Sequence, residues 1–336
     1  VALPGLTEPS NIMPMRRVPM TTVTSVSVLC LPKTAPLEQI IFTELPGRPL
    51  VSIVVPSFNQ GRYIRATIDS ILSQDYRPLQ IIVIDGGSRD QTVSVLESYG
   101  GVPELEWLSE PDSGVVEAVN KGFARVRGQL VGIQSSDDCY TPGAITGVVD
   151  EFERNSRLGL LYGDTIKVDA EGQEVARHPI GPYSLPNLLR IKTCIPQPSA
   201  FFRSELLDVL GGWDDRIPYA PDTDLWLRMA FRTEVRKLNA YLSKRRVHDE
   251  QRDTQAGRIA RDFARMIDQS VDIAGARPEI QRAAHAGKHL MRVRYNATGS
   301  DWYAAWCLMR AGACDPACMD LRGLTHYLCW LPLRRQ

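Results

Sequence analysis

The feature that most constrains this chain is an alternation of short β-branched runs with helix-spaced segments between residues 50 and 134. Leu50-Val-Ser-Ile-Val-Val55 is halted by Pro56 and is apolar at nearly every position, which predicts a strand buried on both faces. Residues 60–73 then place Ile64, Ile68, Ile71 and Leu72 on one helical face. The cycle repeats: a strand over Leu79–Ile84, a helix over Asp90–Tyr99, a strand over Leu105–Leu108, a helix over Ser113–Arg125 and a strand over Leu130–Gln134. Such alternation implies an α/β fold, a mainly parallel sheet with helices on both faces. In such sheets ligands bind beyond the carboxyl ends of the strands. The polar segments Ser57–Gln60, Asp85–Asp90, Glu110–Gly114 and Ser135–Asp138 all fall at those ends, so four loops are expected to converge on one crevice.

The rest of the chain is less regular. Thr141 reads as an N-cap with Pro142 in the first turn of the next helix. Short strands are expected near Gly159–Tyr162 and Ser199–Phe202, and helices over Leu185–Ile191, Ser204–Leu210 and Asp222–Phe231. The pattern divides the chain into an extension over residues 1–48, a main domain over 49–252 and a helical region over 253–336. The main domain splits further into halves at 49–140 and 141–252. Val18–Leu31 loosely resembles a signal peptide, but Thr and Ser interrupt it, and it reads better as part of the extension.

Lys+Arg and Asp+Glu both number 39, so no basic field exists to recruit nucleic acid, and any anion site must be local. Seven cysteines without a C-x-x-C pair suit a reducing compartment, hence an expected cytoplasmic location. Cys307, Cys314, Cys318 and Cys329 with His326 are spaced too irregularly for a zinc site and read as packed side chains. No run of 18 apolar residues is present.

Asp137-Asp138 carries the strongest chemical signal. Adjacent carboxylates at the end of a buried strand repel each other and need a cation or strong donors nearby. Mg²⁺ or Mn²⁺, which prefer hard oxygen ligands and also hold diphosphates, would satisfy them. From the dipeptide alone, capping of the following helix is an equal alternative.

The surrounding motifs break that tie. Val51-Ser-Ile-Val-Val-Pro-Ser-Phe-Asn59, Ile84-Asp-Gly-Gly-Ser-Arg-Asp-Gln-Thr92, Ser109-Glu-Pro-Asp-Ser-Gly114 and Asn120-Lys-Gly122 precede Ser135-Ser-Asp-Asp138. Gly211-Gly-Trp-Asp214 and Asp222-Thr-Asp-Leu-Trp-Leu-Arg228 follow it. In this order and with these gaps, residues 49–250 resemble the GT-A-fold glycosyltransferases of family 2. The resemblance implies a nucleotide-sugar donor and a single displacement with inversion. Pro56, Ser57 and Asn59 would then line the nucleotide cleft. Asp85 would accept a hydrogen bond from the base, Asp137 would serve the ribose and Asp138 would bind the metal. Asp112 and Lys121 would contact the donor, with Lys121, which starts no evident ion-pair series, acting as a point charge near the diphosphate. Asp222 would be the catalytic base, with capping of its own helix as the plainer role. His248 would reach the metal or diphosphate, and Arg245, Arg246 and Arg252 would either clamp phosphate or be surface charge.

Two positions depart from the family pattern: Ser135 stands where many members carry an acid or Asn, and Pro221 where many carry Glu. The Gln-x-x-Arg-Trp motif of processive synthases is absent, which favours addition of one sugar. The expected reaction is transfer from a UDP-sugar to a hydroxyl of a glycan or lipid-linked acceptor, in cell-surface polysaccharide synthesis. A nucleotidyltransferase would want a Gly-rich loop with a basic residue after the first strand, and a nicotinamide enzyme a G-x-G-x-x-G there; Pro56-Ser-Phe-Asn-Gln-Gly61 is neither. A non-catalytic nucleotide-sugar binder is the remaining alternative. Trp302, Tyr303, Trp306, Tyr327 and Trp330 gather in the last region with Arg334-Arg335. Packing on the main domain is the favoured reading there, and peripheral contact with the inner face of a membrane the other.

Overall fold

The computed structural model describes residues 40–248, 256–296 and 300–320, together with Gly323 and Tyr327. The expectations placed on the N-terminal extension before residue 40, and on Arg252, His326, Cys329, Trp330 and Arg334-Arg335, lie outside the described residues.

The first half follows the expected alternation. Strands β1 (Val51–Ser57), β2 (Leu79–Asp85), β3 (Leu105–Ser109) and β4 (Leu130–Ile133) alternate with helices α1 (Ile64–Leu72), α2 (Thr92–Glu97) and α3 (Val115–Phe123). β1 pairs in parallel with β2 and β4, and β2 with β3. Both faces of this parallel section are covered, which is why its strands are apolar at successive positions. Val51, Ile53, Val55, Ile81 and Val83 pack with α1 and with α4 (Ala144–Arg154). Val54, Ile82, Ile84, Val131 and Ile133 point the other way and pack with α3.

The second half extends the sheet with longer strands. β5 (Cys139–Tyr140), β6 (Leu158–Val168), β7 (Glu174–His178), β8 (Ala200–Arg203) and β9 (Glu234–Arg246) complete the order β3-β2-β1-β4-β8-β6-β9-β5, with β7 on β6. β8 runs antiparallel between β4 and β6, whereas β6 and β9 are parallel. The β6–β9 register shifts along its length: Leu160 faces Val235 but Val168 faces Arg246, so β9 uses three more residues than β6 over that stretch. β9 is apolar at few positions, which is why the sequence pattern did not mark it as a strand. Its hydrogen bonds to β6 and β5 hold it in place together with the buried side chains of Val235 and Leu242.

Two local expectations are corrected. Thr141 does not cap α4: its hydroxyl donates to the Tyr241 carbonyl across the β5–β9 edge, and left-handed Gly143 precedes the helix instead. Asp222 does not cap α7 (Pro221–Arg232) either, because Ala220 is the N-cap and Pro221 opens the first turn. Proline suits that position, since its missing N–H would be unpaired there in any case.

Helices α5 (Leu185–Leu189), α6 (Glu205–Leu210) and α7 lie on the α3 side of the sheet. So do α8 (Ala256–Gln269), α9 (Val271–Gly275), α10 (Pro278–Arg294) and α11 (Asp301–Cys314), whose buried residues Phe263, Leu290 and Cys307 share one core with Phe202 and Trp226. α10 meets α5 so closely that a Cβ on Gly287 would lie 2.0 Å from the Leu189 carbonyl oxygen. A buried ion pair, Arg190 Nε to Asp315 Oδ2 at 2.6 Å, ties the end of α5 to the residue after α11. Among the described residues no helix is long and apolar enough to cross a membrane.

Candidate active site

The crevice is built first by tying two loops together. Asn59 adopts a left-handed conformation with φ 53°, which Asn tolerates better than most residues. This turn lets its N–H donate to Ser88 Oγ at 2.7 Å while its own Oδ1 accepts from Arg89 N at 3.0 Å. Gln60 N donates to Thr92 Oγ1 and Gly61 N to Asp90 Oδ2. Four bonds thus staple the loop after β1 to the loop after β2. Pro56 and Ser57 end β1 in register with Ile84 and Asp85. The Ser57 hydroxyl is buried and makes no hydrogen bond to any described residue.

Asp85 is fully buried at the strand end. Its Oδ2 accepts from Ser88 N at 2.9 Å and Ser109 Oγ at 2.7 Å, and its Oδ1 from Ser88 Oγ. A carboxylate offers about four acceptor sites, so three bonds leave capacity for one more donor. Asp112 stands opposite, its Oδ1 accepting from Gly114 N. Gly86 makes room for it: a Cβ there would come 2.9 Å from Asp112 Oδ2.

Lys121 departs from expectation. Its Nζ lies 2.7 Å from Glu110 and 2.8 Å from Glu117, the latter one helical turn earlier on α3. The ion-pair series that the sequence reading missed therefore exists, and two carboxylates already match this charge.

The acid pair sits where β4, β5 and β9 meet. Pairing of Cys139 with Lys244 brings the end of β9 against Asp138, whose Oδ1 accepts from Arg246 N at 2.8 Å. Burial, and next the charge of Asp137, push the Asp138 carboxyl well above the ordinary carboxylate range. Asp137 Oδ2 lies 3.0 Å from Nε2 of His248. The imidazole packs 5.0 Å from the Tyr63 ring, and its Nδ1 is buried without a hydrogen-bond partner among the described residues.

Arg246 is not a phosphate clamp. It is buried, its Nε donates to the Asp137 carbonyl, and its Nη1 donates to the carbonyls of Asp169 and Ala170. The guanidinium covers the Tyr63 ring at 4.8 Å. It fixes the acid-pair loop from behind. Arg245, its neighbour on the strand, instead exerts its charge on both Asp138 and Asp222.

Asp222 lies within the field of the same arginine as Asp138. Asp222 is half-buried in the first turn of α7, and its pKa is raised by burial, which outweighs the bonds to Thr223 and the charge of Arg245. The hydrogen bond from Thr223 Oγ1 to Asp222 Oδ1 is long, at 3.5 Å. Burial raises the Cys194 thiol pKa, with smaller contributions from the charges of Arg294, in the last turn of α10, and of Asp222 and Arg245. Tyr63, Ser88, Ser109 and Arg294 join the site without having been singled out in the sequence. Only the serines, each in a motif beside an acid, carried any signal.

Among the described residues no cluster of three or more His, Cys, Asp or Glu forms a complete metal cage. Asp138 and His248 nonetheless fit a divalent ion that takes its remaining ligands from a diphosphate and water, as Mg²⁺ usually does. The Asp138 carboxylate is buried beside a second carboxylate, and among the described residues the buried imidazole nitrogen Nδ1 has no hydrogen-bond partner.

Comparison with known proteins now becomes decisive. The family model described as Glycosyl transferase family 2 matches residues 52–210. An uncharacterized glycosyltransferase of Mycobacterium tuberculosis is 34% identical over 189 residues, which span 55% of this chain and 71% of that protein. The chain belongs to glycosyl transferase family 2. As a family 2 glycosyltransferase it is also 28% identical to Escherichia coli chondroitin synthase over 215 residues, 63% of this chain. The match spans only 31% of that synthase. In fold it is similar to a mannosyltransferase of Pyrobaculum calidifontis solved in complex with GDP-Man and Mn²⁺, with a TM-score of 0.60 and 20% identity. That likeness covers 90% of this chain and 84% of the other. The GT-A fold expected from the motifs is the fold of this glycosyltransferase.

Proposed function

We propose that this glycosyltransferase moves one sugar from a nucleotide-diphosphate sugar, with a UDP-sugar as the expected donor, to a hydroxyl of a glycan or lipid-linked acceptor, with inversion. The observation that carries this reading is the buried Asp137-Asp138 corner with His248 Nε2 3.0 Å from Asp137, beside which the family motif supplies a separate carboxylate, Asp222, in the first turn of α7. A metal-binding acid pair and a separate carboxylate whose affinity for protons is raised are the two halves that such a displacement needs.

Pro56, Ser57 and Asn59 would line the nucleotide through the stapled loops, and Asp85 would take the ring N–H of the base with its remaining acceptor capacity. Asp112 would contact the donor from the opposite loop, and Asp137 the ribose. Lys121 would act mainly by holding Glu110 and the loop that carries Asp112. Asp138 and His248 would hold a divalent ion, which when bound stabilises negative charge on the departing diphosphate. Asp222 would accept the proton of the acceptor hydroxyl as that oxygen bonds to the anomeric carbon. The bond from that carbon to the diphosphate oxygen breaks on the opposite face, and its electron pair leaves with the nucleoside diphosphate.

Residues 49–140 would form the donor half and 141–252 the acceptor half, within cell-surface polysaccharide synthesis on the cytoplasmic side. The test is release of nucleoside diphosphate from a panel of UDP- and GDP-sugars with Mn²⁺ or Mg²⁺ and acceptor extracts. Release that disappears in Asp138→Ala and in Asp222→Asn supports transfer. Tight donor binding without release from any donor and acceptor pair would instead favour the non-catalytic binder.

A further inference from the structure

Helix α11 turns one face to the core and leaves an apolar face uncovered. Ala304, Cys307, Leu308 and Ala311 are buried. Trp302, Ala305, Trp306, Met309, Arg310 and Ala313 are exposed, at the i, i+3, i+4 spacing of a single helical stripe. Trp302 is 87% exposed, Met309 66% and Trp306 45%. The packing expected for these aromatics holds for Tyr327, which is buried, but not for the two tryptophans.

The charge around the stripe is mainly basic. Between Gln281 and Cys314 there are five Lys and Arg residues and a single acid, Asp301. Arg310 lies 5.7 Å over the Trp306 ring, and the His289 ring meets the same indole edge-on. Lys288, Arg292 and Arg310 all act on His289. Lys288 is paired with Asp268. Exposed tryptophans beside arginines suit the headgroup layer of a bilayer, where the rings sit at the polar boundary and the cations meet anionic lipid.

We propose that the exposed face of α11, with the basic end of α10, docks this enzyme on the surface of an anionic phospholipid bilayer. Charge argues against a second copy as the occupant. A two-fold contact through this stripe would bring Arg310 against its own equivalent, and the stripe of one 14-residue helix is small beside the ~1,200 Å² that a stable dimer needs. The placement deepens the transferase reading and rests on it in one respect. α10 and α11 share one core with α7, which carries Asp222, so a bilayer docked on α11 would lie on the α7 side of the sheet, the side a lipid-linked acceptor needs under that reading.

The experiment is flotation of the full chain with vesicles of phosphatidylcholine alone or mixed with phosphatidylglycerol. The variant is Trp302→Glu/Met309→Glu, whose side chains are exposed and lie outside the donor cleft. Binding to the anionic vesicles should exceed binding to neutral ones, weaken at high salt and fall at least about tenfold in the variant. Donor hydrolysis without vesicles should be unchanged in the variant. Absence of flotation, flotation indifferent to headgroup charge, or equal flotation of the variant overturns the proposal. So does a concentration-dependent dimer that the variant abolishes, because it assigns the face to a second copy. A wild-type chain that floats but releases no nucleotide from any donor would sink the transferase reading and leave the docking surface standing.

Discussion

Replacing Asp222 by asparagine separates catalysis from stability in one residue. The amide matches the carboxylate in shape but cannot take a proton from a hydroxyl. General-base catalysis contributes about 10²–10⁴-fold, so kcat should fall by that factor, equivalent to about 2.7–5.4 kcal/mol of transition-state stabilisation. The donor's KM should change little, because the proposed reaction assigns Asp222 to the acceptor hydroxyl. Stability should move the other way. Burial raises the folded pKa of Asp222, so the group favours the folded state fully only below the unfolded carboxylate value. That contribution is lost as pH rises through the folded value. At pH ~8 the wild type carries a half-buried charge that the variant lacks, so Asp222→Asn should melt higher. Near pH ~4, close to the unfolded carboxylate value, the gap should narrow. The assays are nucleoside diphosphate release at saturating donor and acceptor, and thermal melts at both pH values. The acidic limb of the wild-type kcat/KM profile should also lie above the ordinary carboxylate range. A folded variant that keeps more than a tenth of wild-type kcat would refute the assignment of the base. A variant that melts lower at pH ~8 would refute the claim that burial outweighs the local hydrogen bonds.

Other outcomes follow from the packing. Gly287→Ala should lower Tm, because its methyl would meet the Leu189 carbonyl at 2.0 Å; an overpacking cost of about 1–3 kcal/mol exceeds the helix-propensity gain of about 1 kcal/mol. Asp315→Ala should cost about 3–5 kcal/mol by stranding the buried Arg190 guanidinium, whereas the double variant Arg190→Met/Asp315→Leu should recover more than half of that in denaturant melts. Lys121→Ala should raise the donor KM less than about threefold, since exposed ion pairs contribute about 0–1 kcal/mol and this charge is already matched; a larger effect in titrations of donor binding would restore the direct phosphate contact.

The parallel half of the fold was legible because its strands are buried on both faces. Val54 and Val55 pack into opposite cores, so the run needs apolar residues at both parities and stands out in the sequence. β9 was illegible for the opposite reason: its thirteen residues Glu234–Arg246 are mostly polar, and backbone pairing places them. The acid pair was legible from its dipeptide and the motifs around it. The division of labour between Arg245 and Arg246 was not, because adjacent arginines read alike until a strand sends them to opposite faces. The ion pairs of Lys121 were overlooked through attention to its motif at the expense of Glu117 one turn away. The exposure of Trp302 and Trp306 was hidden because a core stripe and a surface stripe share the same period.

The uneven β6–β9 register has a consequence for how this protein can change by insertion and deletion. Between Leu160 and Val168 the extra residues of β9 sit at bulges, and side chains alternate along the strand that follows. Pairing of Cys139 with Lys244 then fixes the phase, so Arg246 turns back to brace the acid-pair loop and Arg245 takes the other face. A residue lost upstream can be absorbed at a bulge, whereas one lost between Lys244 and His248 would exchange the two arginines or draw His248 away from Asp137. Length variation among descendants of this chain should thus gather before residue 243 and spare residues 244–248.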